Sequence, residues 1–331
     1  MKLKYYTISF LLTVSCFSSI TFGQEKLAQT GMQFLSVISD GRAAALGGAV
    51  TSREIQSSSL FFNPATMGFD TTFINASYSP TKWIADINYH SISMAFQPSD
   101  GEFGIFGASL QLVDYGTIEG TIVANNDKGY LDYSEMGMSN PEPYALALGF
   151  GYAKALSSKF SVGGQVKWVK QYLGETVDTG RVEKYENKLS VMAFDFGTFY
   201  RTGFKSLVFG MSVRNFSKEV KYAGEQFPLP LTFSLGISMD LNDLSNIGQE
   251  HSFLFSLDAV HVRSASGQVA FALEYQFMKQ FFLRGSYITN NNENEYSVGA
   301  GVSWYGVQFD YAFSPYGIFG DIQRLTIRFS Y

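Results

Sequence analysis

The sequence predicts an all-β protein, a transmembrane antiparallel β-barrel of about fourteen strands with an N-terminal hatch segment. Three observations support this fold class. The amino terminus has the design of an export signal, stretches of alternating apolar and polar residues recur along the chain, and the last strand ends on an aromatic residue. Beyond the signal, no stretch approaches the ~18 consecutive apolar residues of a membrane helix. An exported, aromatic-rich chain of this kind can enter a bilayer only as a closed sheet.

Residues 1–23 predict a signal peptide. Two lysines lie among the first four residues, an apolar run from Ile8 to Val14 follows, and Thr21 and Gly23 fit a cleavage site. The single cysteine, Cys16, lies inside this segment. The exported chain therefore contains no disulfide and depends on its sheet and its surroundings for stability.

The composition fits a membrane barrel and excludes several other classes. Charged residues make up 16% of the chain, well below the roughly 25% of soluble domains. Aromatic residues also make up 16%, as expected for girdles at two membrane interfaces. The net charge of −5 argues against nucleic-acid binding, which needs a basic surface.

The last strand illustrates the alternation. One face is apolar and the other is polar, which suits a strand between lipid and lumen. The apolar face carries Leu325, Ile327, Phe329 and Tyr331, the predicted C-terminal barrel signal, and the polar face carries Arg324, Thr326, Arg328 and Ser330.

The same pattern predicts strands along residues 71–331, the barrel domain. Long and short connections largely alternate between them, as in outer-membrane barrels, and an even strand count returns the chain to one side. The short turn at Ser79–Trp83 and the longer turn at 242–250 break the alternation. The predicted strands cover residues 71–79, 84–97, 103–115, 143–155, 159–173, 187–201, 204–216, 229–241, 251–262, 268–277, 279–289, 294–304, 306–313 and 322–331.

Residues 24–70 do not alternate and predict a plug inside the lumen. The segment is rich in small residues, and an Asn-Pro turn favours the start of a short helix. A barrel of this size has room for such a plug. The hatch motif comprises Gly41, Arg42, Gly47, Gly48, Asn63, Pro64 and Ala65.

Several motifs resemble those of the PorV/PorQ family of outer-membrane proteins. They are Gly31-Met32-Gln33-Phe34-Leu35, the stretch 41–48, Phe62-Asn63-Pro64-Ala65, Val213-Arg214-Asn215-Phe216, Pro228-Leu229-Pro230-Leu231-Thr232-Phe233, Asp310-Tyr311-Ala312-Phe313-Ser314-Pro315-Tyr316-Gly317 and Gln323-Arg324. This family is associated with type IX secretion and is related to FadL-like fatty-acid transporters. The resemblance implies a fourteen-stranded barrel with a hatch, in the outer membrane of a Bacteroidetes-type Gram-negative bacterium.

The resemblance makes an accessory or docking component of type IX protein secretion the leading functional prediction. The implied partners are the type IX translocon, cargo C-terminal domains and outer-membrane lipid. Exposed aromatic and methionine side chains suit adaptable interfaces, so loop 116–142 is the candidate partner loop. Its candidate contacts are Tyr130, Tyr133, Met136 and Met138. The alternative for this loop is a cover over the barrel mouth.

The alternative function is a FadL-like uptake channel for a hydrophobic small molecule, with the hatch as its gate. The candidate lumen residues either serve such a passage or form a mutually paired network that fills the barrel. They are Gln111, Gln165, Lys167, Asp195, Arg284 and Arg328.

The sequence predicts no enzyme activity, cofactor or metal. The three histidines, His90, His251 and His261, have no spacing typical of a metal site or a catalytic triad. Each is expected to face the lumen or the lipid headgroups. The Gly-x-Gly pairs at 149–151 and 299–301 lie within predicted strands, so they lack the context of a phosphate loop.

Overall fold

The computed structural model describes residues 30–331 except 125–126, 137–138, 179–182, 223–224, 245–249 and 292. The predicted signal peptide and the first residues of the predicted hatch lie outside the described residues. No helix within the described ranges is long and apolar enough to cross a membrane.

The described chain contains eighteen strands, and fourteen of them form one closed antiparallel barrel. The barrel order is β1-β18-β17-β16-β15-β14-β13-β12-β9-β8-β7-β6-β3-β2, whereas β4–β5 and β10–β11 form separate hairpins. The predicted fold class is therefore confirmed. The strands are β1 (Ile74–Lys82), β2 (Asn88–Phe96), β3 (Ile105–Asp114), β4 (Thr121–Val123), β5 (Tyr130–Asp132), β6 (Tyr144–Ala155), β7 (Phe160–Asp178), β8 (Glu183–Arg201), β9 (Val208–Ser217), β10 (Val220–Tyr222), β11 (Glu225–Phe227), β12 (Thr232–Asp240), β13 (His251–Val262), β14 (Gln268–Phe277), β15 (Phe281–Ile288), β16 (Tyr296–Trp304), β17 (Val307–Pro315) and β18 (Asp321–Ser330).

Helices are short in the described chain. The α-helix α1 covers Gly41–Ala45. The 3₁₀ helices cover Gln33–Ser36, Gln56–Phe61, Pro64–Phe69, Ile84–Asp86, Ser99–Gly101, Tyr133–Met136, Leu241–Asp243 and Gly317–Phe319.

The two faces of the barrel wall differ as the alternation predicts. In β18, Arg324, Thr326 and Arg328 are buried in the lumen, while Leu325 and Phe329 are exposed on the outer face. Successive side chains of a strand point to opposite faces, so small and polar residues fill the interior and bulky apolar residues cover the exterior.

The two ends of the barrel have different connections. We call them the long-loop end and the short-turn end. The long-loop end carries connections 83–87, 115–143, 218–231, 263–267, 289–295, 316–320 and the end of the β7–β8 hairpin. The short-turn end carries connections 97–104, 156–159, 202–207, 241–250, 278–280 and 305–306.

The first predicted turn was misplaced. The sequence predicts a strand to residue 79 and a turn at Ser79–Trp83, but β1 continues to Lys82 and the turn covers 83–87. Pro80 pairs with His90 of β2, while pairing with β18 is interrupted between Tyr78 and Thr81. Proline cannot donate a ladder hydrogen bond, and the interruption accommodates it inside the strand.

The β7–β8 hairpin is longer than predicted. The predicted loop 174–186 is largely strand, because β7 reaches Asp178 and β8 begins at Glu183. The pairing of the two strands shifts after Tyr172, at a β-bulge or irregularity. The end of this hairpin lies beyond the apolar belt, where neither face has to be apolar. The alternation that marks the other strands is therefore lost there.

Residues 30–73, here called the inner segment, cross the lumen from one end to the other. At the long-loop end, the Gly31 amide donates to the Pro228 carbonyl over 3.2 Å. Helix α1 then packs on β15 to β18. At the short-turn end, Phe69 contacts Phe199, with ring centroids 5.6 Å apart.

Candidate functional site

A buried ion-pair network joins the inner segment to the barrel wall. The Arg42 guanidinium donates to Glu274 through Nη2 over 2.9 Å, and Arg53 pairs with the same carboxylate. On the wall, Arg284 bridges Glu274 and Asp310, with its Nη1 2.6 Å from Asp310 Oδ1. Because Glu274 is fully buried, its charge depends on these three guanidinium groups.

Asp40 extends this network to β18. Its carboxylate pairs with Arg328, which also pairs with Asp310. Asp40 is the N-cap of α1 and accepts from the Ala43 amide over 2.9 Å and from the Ser58 hydroxyl over 2.8 Å. Burial opposes its ionisation, but Arg328 and these donors outweigh that effect and hold the pKa of Asp40 below its ordinary value.

A second polar cluster lies on β7, β8 and β9. Lys167 Nζ is 2.8 Å from Asp195 Oδ2 and donates to Asn215 Oδ1 over 2.6 Å. The β8–β9 register shifts between Phe194 and Phe196, a bulge that lets Asn215 and its neighbour Arg214 both reach the interior. Arg214 donates to the Phe61 carbonyl of the inner segment over 2.7 Å.

Glycines of the wall allow the inner segment to lie directly against the strands. A Cβ atom at Gly163 would lie 2.6 Å from the Ala65 amide nitrogen, and one at Gly197 would overlap Asn63 Oδ1. Asn63 donates to the Thr198 carbonyl over 3.1 Å. The lower part of the inner segment, residues 40–69, is therefore fixed by backbone contact as well as by ion pairs.

An apolar cleft opens at the long-loop end, beside residues 31–37 of the inner segment. Its volume is about 440 Å³, within the ~300–1,000 Å³ typical of small-molecule sites. No Lys, Arg, His, Asp or Glu occurs among the described residues that line it. They are Gly31, Met32, Gln33, Phe34, Val37, Trp83, Ile84, Ile87, Tyr89, Tyr115, Gln171, Leu173, Leu189, Tyr222 and Phe227.

The cleft is aromatic and electrically neutral. Trp83 and Tyr89 meet edge to face, with ring centroids 6.2 Å apart. Burial raises the pKa of Tyr115 to about 12, so its phenol stays neutral at physiological pH. The guanidinium carbon of Arg324 lies 5.1 Å from the centroid of the Trp83 ring, but Arg324 does not line the cleft. The surface suits an uncharged aromatic or aliphatic molecule.

Below the cleft, buried side chains of the described residues occupy much of the interior. A pocket of about 30 Å³ lies between residues 35–39 and 60–62 and is lined by Lys167 and Arg214. This volume accommodates water but no organic ligand. Val37 lines both the cleft and this pocket, so the residues around Val37 separate the cleft from the interior.

The residues of the predicted hatch motif all lie within the inner segment. Gly47 and Gly48 adopt φ values of 59° and 80°, and Asn63 caps the 3₁₀ helix Pro64–Phe69. Gly41 and Arg42 begin α1, and the Gly41 amide donates to the Thr326 hydroxyl over 2.7 Å. These roles are structural.

The predicted lumen residues are buried on the inner face and paired. Gln111, Gln165, Lys167, Asp195, Arg284 and Arg328 are all buried. Gln165 donates to the Ser109 hydroxyl over 2.9 Å. The geometry agrees with a mutually paired network, and Gln111 and Lys167 are the members that line the small inner pocket.

The predicted partner loop is only partly exposed. Tyr130 is exposed, whereas Tyr133 is buried. The Tyr133 ring packs on Gly120, and a Cβ atom added at Gly120 would lie 2.5 Å from that ring. Met138 lies outside the described residues, and the side chain of Met136 is not described. An exposed contact on this loop can therefore be assigned to Tyr130 and not to Tyr133.

The three histidines lie on the outer face of the barrel and do not converge. His90 pairs with the Tyr78 hydroxyl over 2.9 Å, and His251 pairs with the Tyr275 hydroxyl over 2.8 Å. His261 is exposed on the outer face of β13. The described residues contain no cluster that could hold a metal ion.

Two parts of the site were missed from the sequence. Asp40, Arg53, Glu274 and Asp310 carry the ion-pair network, and the inward position of Glu274 and Asp310 within alternating strands was a usable signal. The cleft had no such signal, because its lining comes from the inner segment, three barrel strands and three connections.

The fold resembles that of known outer-membrane channels. The CymD monoaromatic hydrocarbon channel has a TM-score of 0.53 and 11% sequence identity, over 88% of this chain and 96% of that chain. The Pseudomonas putida toluene transporter TodX has a TM-score of 0.53 and 13% identity, over 88% and 96%. A Pseudomonas aeruginosa FadL homologue has a TM-score of 0.51 and 10% identity, over 88% and 98%.

These similarities concern the fold, since the sequence identities are low. No family model matches the chain. No curated protein matches it either. The resemblance to the PorV/PorQ family stays a prediction from the sequence motifs.

Proposed function

We propose that this protein is an outer-membrane barrel that admits a small, uncharged hydrophobic molecule at its long-loop end. The observation that carries the proposal is the neutral, aromatic cleft of about 440 Å³ beside the inner segment. The channel and transporter roles named for CymD and TodX, which share the fold, support the same reading. The protein has no enzymatic role in this proposal.

The outer surface supports a membrane location. The barrel exposes a belt of large apolar side chains such as Phe150, Leu283 and Phe309, which a lipid-facing wall requires. In outer-membrane barrels long loops face the exterior and short turns face the periplasm. We therefore assign the long-loop end to the cell surface of a Gram-negative bacterium, reached by way of the predicted signal peptide.

The inner segment acts as a hatch in two parts. Its lower part is fixed by the ion pairs of Asp40, Arg42 and Arg53 and by contact with wall glycines. Its upper part, residues 31–38, is held by apolar packing and few hydrogen bonds, such as that from Gly31 to Pro228. A molecule in the cleft meets the upper part first, so movement there opens the way inward.

The charges around the cleft favour an uncharged molecule. A carboxylate in the cleft would lose its hydration without gaining a cation, which is costly. Residues 115–143 above the barrel carry five carboxylates and a single lysine, and such a loop repels anions at low ionic strength.

Fluorescence of Trp83 tests the proposal. Replacing Trp168 and Trp304, which face outward, by Phe leaves Trp83 as the sole tryptophan. We expect 4-bromotoluene to quench Trp83 saturably, and Ile87→Phe, which fills part of the cleft, to abolish the saturable quenching. The matched control Ile92→Phe, on the outer face of β2, keeps it. Equal quenching in all variants contradicts a cleft site.

The second candidate is the predicted role as an accessory or docking component of type IX secretion. The observation that favours it is the packing of the inner segment against the wall inside the lumen, since a barrel whose lumen is occupied in this way can act through its outer surface. Val123 and Tyr130 of loop 116–142 are exposed and available to a partner such as the translocon or a cargo C-terminal domain.

A pull-down from native outer membranes distinguishes the two candidates. Recovery of a large translocon barrel or of secreted proteins with the tagged protein, lost on trimming residues 116–142, supports the secretion role. Recovery of the barrel without such partners, combined with saturable Trp83 quenching, supports uptake.

A further inference from the structure

Arg324 is a buried cation that neither the ion-pair network nor the lining of the cleft includes. The neighbouring Arg328 on the same strand pairs with Asp40 and Asp310. Arg324 is equally buried, yet its partners among the described residues are a carbonyl, a hydroxyl and two aromatic rings. A charge removed from water needs compensating partners, so each of these neutral groups helps to decide where the Arg324 side chain lies.

The Arg324 guanidinium joins two hydrogen-bond acceptors to two aromatic rings. Its Nε donates to the Ile38 carbonyl over 2.7 Å, and its Nη1 donates to the Ser314 hydroxyl over 2.8 Å. Its central carbon lies 5.1 Å from the centroid of the Trp83 ring and 5.9 Å from that of Tyr316. A ring attracts a cation within ~6 Å, most strongly when the ring is Trp and the cation is desolvated. Trp83 therefore helps to hold the guanidinium in place against the Ile38 carbonyl.

Trp83 and Ile38 belong to different parts of the proposed uptake route. Trp83 lines the cleft, whereas Ile38 is the last residue of the upper part of the inner segment. The next residue, Ser39, is held separately, because its carbonyl accepts from the Thr81 hydroxyl over 3.1 Å. Thr81 does not line the cleft. Arg324, by contrast, contacts a wall of the cleft and the junction of the inner segment at once.

Displacement of the Trp83 ring removes a partner that Arg324 cannot replace with a carboxylate. A molecule in the cleft packs against the same ring that attracts the guanidinium. If the molecule turns this ring away, a buried charge loses one of its four compensating groups. Buried charges stay in place only while they are compensated, so the guanidinium then moves toward water and gives up its hydrogen bond to Ile38.

We propose that Arg324 is a positioning residue that couples the cleft to the inner segment. Displacement of the Trp83 ring by a bound hydrophobic molecule releases the Ile38 carbonyl, and with it the upper part of the inner segment. For its ligand the inference rests on the proposed function, but the coupling itself is a property of the ligand-free protein. A molecule that binds without moving Trp83 leaves the upper part in place.

A double-mutant cycle measured by hydrogen exchange tests the coupling without a ligand. The amides of Leu35 and Val37 donate hydrogen bonds within the upper part, so their exchange reports its release. We expect Trp83→Leu to speed this exchange at least fivefold. The matched control is Tyr115→Leu, which removes another aromatic side chain from the cleft and should change the exchange less than twofold.

Arg324→Met shows whether the guanidinium carries the effect. In this background Trp83→Leu should speed exchange less than twofold, because the contact that it removes is already gone. Fully additive effects overturn the inference and identify the backbone between Val37 and Ile38 as the connection. A variant Arg324→Met that does not fold is replaced by Arg324→Gln. The Gln amide can donate to the Ile38 carbonyl but carries no charge for the ring, so the same outcomes apply.

A second comparison uses 4-bromotoluene at a concentration that saturates the quenching of Trp83. We expect exchange at Leu35 and Val37 to rise at least threefold in the wild type and to stay unchanged in Arg324→Met. Saturable quenching without this rise overturns the release of the upper part by a ligand. Absence of saturable quenching contradicts the proposed uptake instead, and the ligand-free cycle then decides the coupling by itself.

Discussion

Glu274→Gln tests how the inner segment is held in the barrel. The substitution preserves the size of the side chain and removes the carboxylate to which Arg42, Arg53 and Arg284 donate. Three guanidinium groups then lose a shared counter-ion. Two of them belong to the inner segment, so the substitution weakens its attachment to the wall more than it weakens the barrel itself.

The magnitude follows from the burial of the pair. Removing one partner of a buried ion pair costs about 3–5 kcal/mol. The amide oxygen of Gln still accepts a hydrogen bond, so we use the lower end, about 3 kcal/mol, for release of the inner segment. This corresponds to a roughly 150-fold increase in the opening equilibrium, since about 1.4 kcal/mol equals a factor of ten.

Hydrogen exchange measures this opening directly. We expect amides of residues 41–53 to exchange roughly 150-fold faster in Glu274→Gln, while amides of the barrel strands keep their protection. The control is Glu250→Gln in the 241–250 turn, where the carboxylate is exposed. An increase below threefold in residues 41–53 would refute the reasoning, as would equal loss of protection in the strands.

Three further predictions concern other parts of the inner segment and the cleft. Gly197→Val places side-chain atoms where Asn63 lies, so we expect a low folding yield. The control is Gly285→Val, because Gly285 has open space around it, and we expect the yield of Gly197→Val to be at least fivefold below that of the control. Equal yields contradict close docking of the inner segment on the wall. The pKa of Asp40 lies below its ordinary value of 3.8, so its contribution to the attachment of the inner segment is complete at higher pH and is lost as the pH falls through the lowered pKa. Trypsin protection of the inner segment should therefore be constant from pH 8 to pH 5, and a loss of protection in that range contradicts the assignment. Gln171→Lys adds a cation to the cleft, and we expect it to strengthen the binding of 4-bromobenzoate at least tenfold, as measured by quenching of Trp83. The control Gln171→Met should give no such gain. An unchanged affinity in Gln171→Lys contradicts the neutral character of the cleft.

The sequence predicted the barrel because the membrane imposes one rule on every strand. Lipid on one face and lumen on the other force a period of two, and this period is visible in β14 and β18 without any structure. The rule fails where lipid is absent. The β7–β8 hairpin is therefore longer than predicted, and Pro80 lies within a strand instead of a turn.

The candidate site was predicted less completely, for a different physical reason. The alternation identifies Arg284 and Arg328 as lumen residues, but not their partners. Arg53 and Glu274 are 221 positions apart in the chain, and only the path of the inner segment brings them together. The cleft likewise depends on how residues 31–37 lie against three barrel strands and three connections.

The division of the inner segment into an ionic lower part and an apolar upper part bears on how a closed barrel could admit a ligand. The ion pairs of Arg42 and Arg53 with Glu274 have no substitute in a hydrophobic molecule, so opening the lower part would leave buried charges unpaired. The contacts of Met32 and Phe34 are non-directional, and a hydrophobic ligand can replace them at little cost. A ligand that enters the cleft therefore exchanges with the upper part while the lower part stays in place. On this argument Glu274→Gln should loosen residues 41–53 without changing the affinity of the cleft for 4-bromotoluene, and a parallel change in both would show that the two parts move as one.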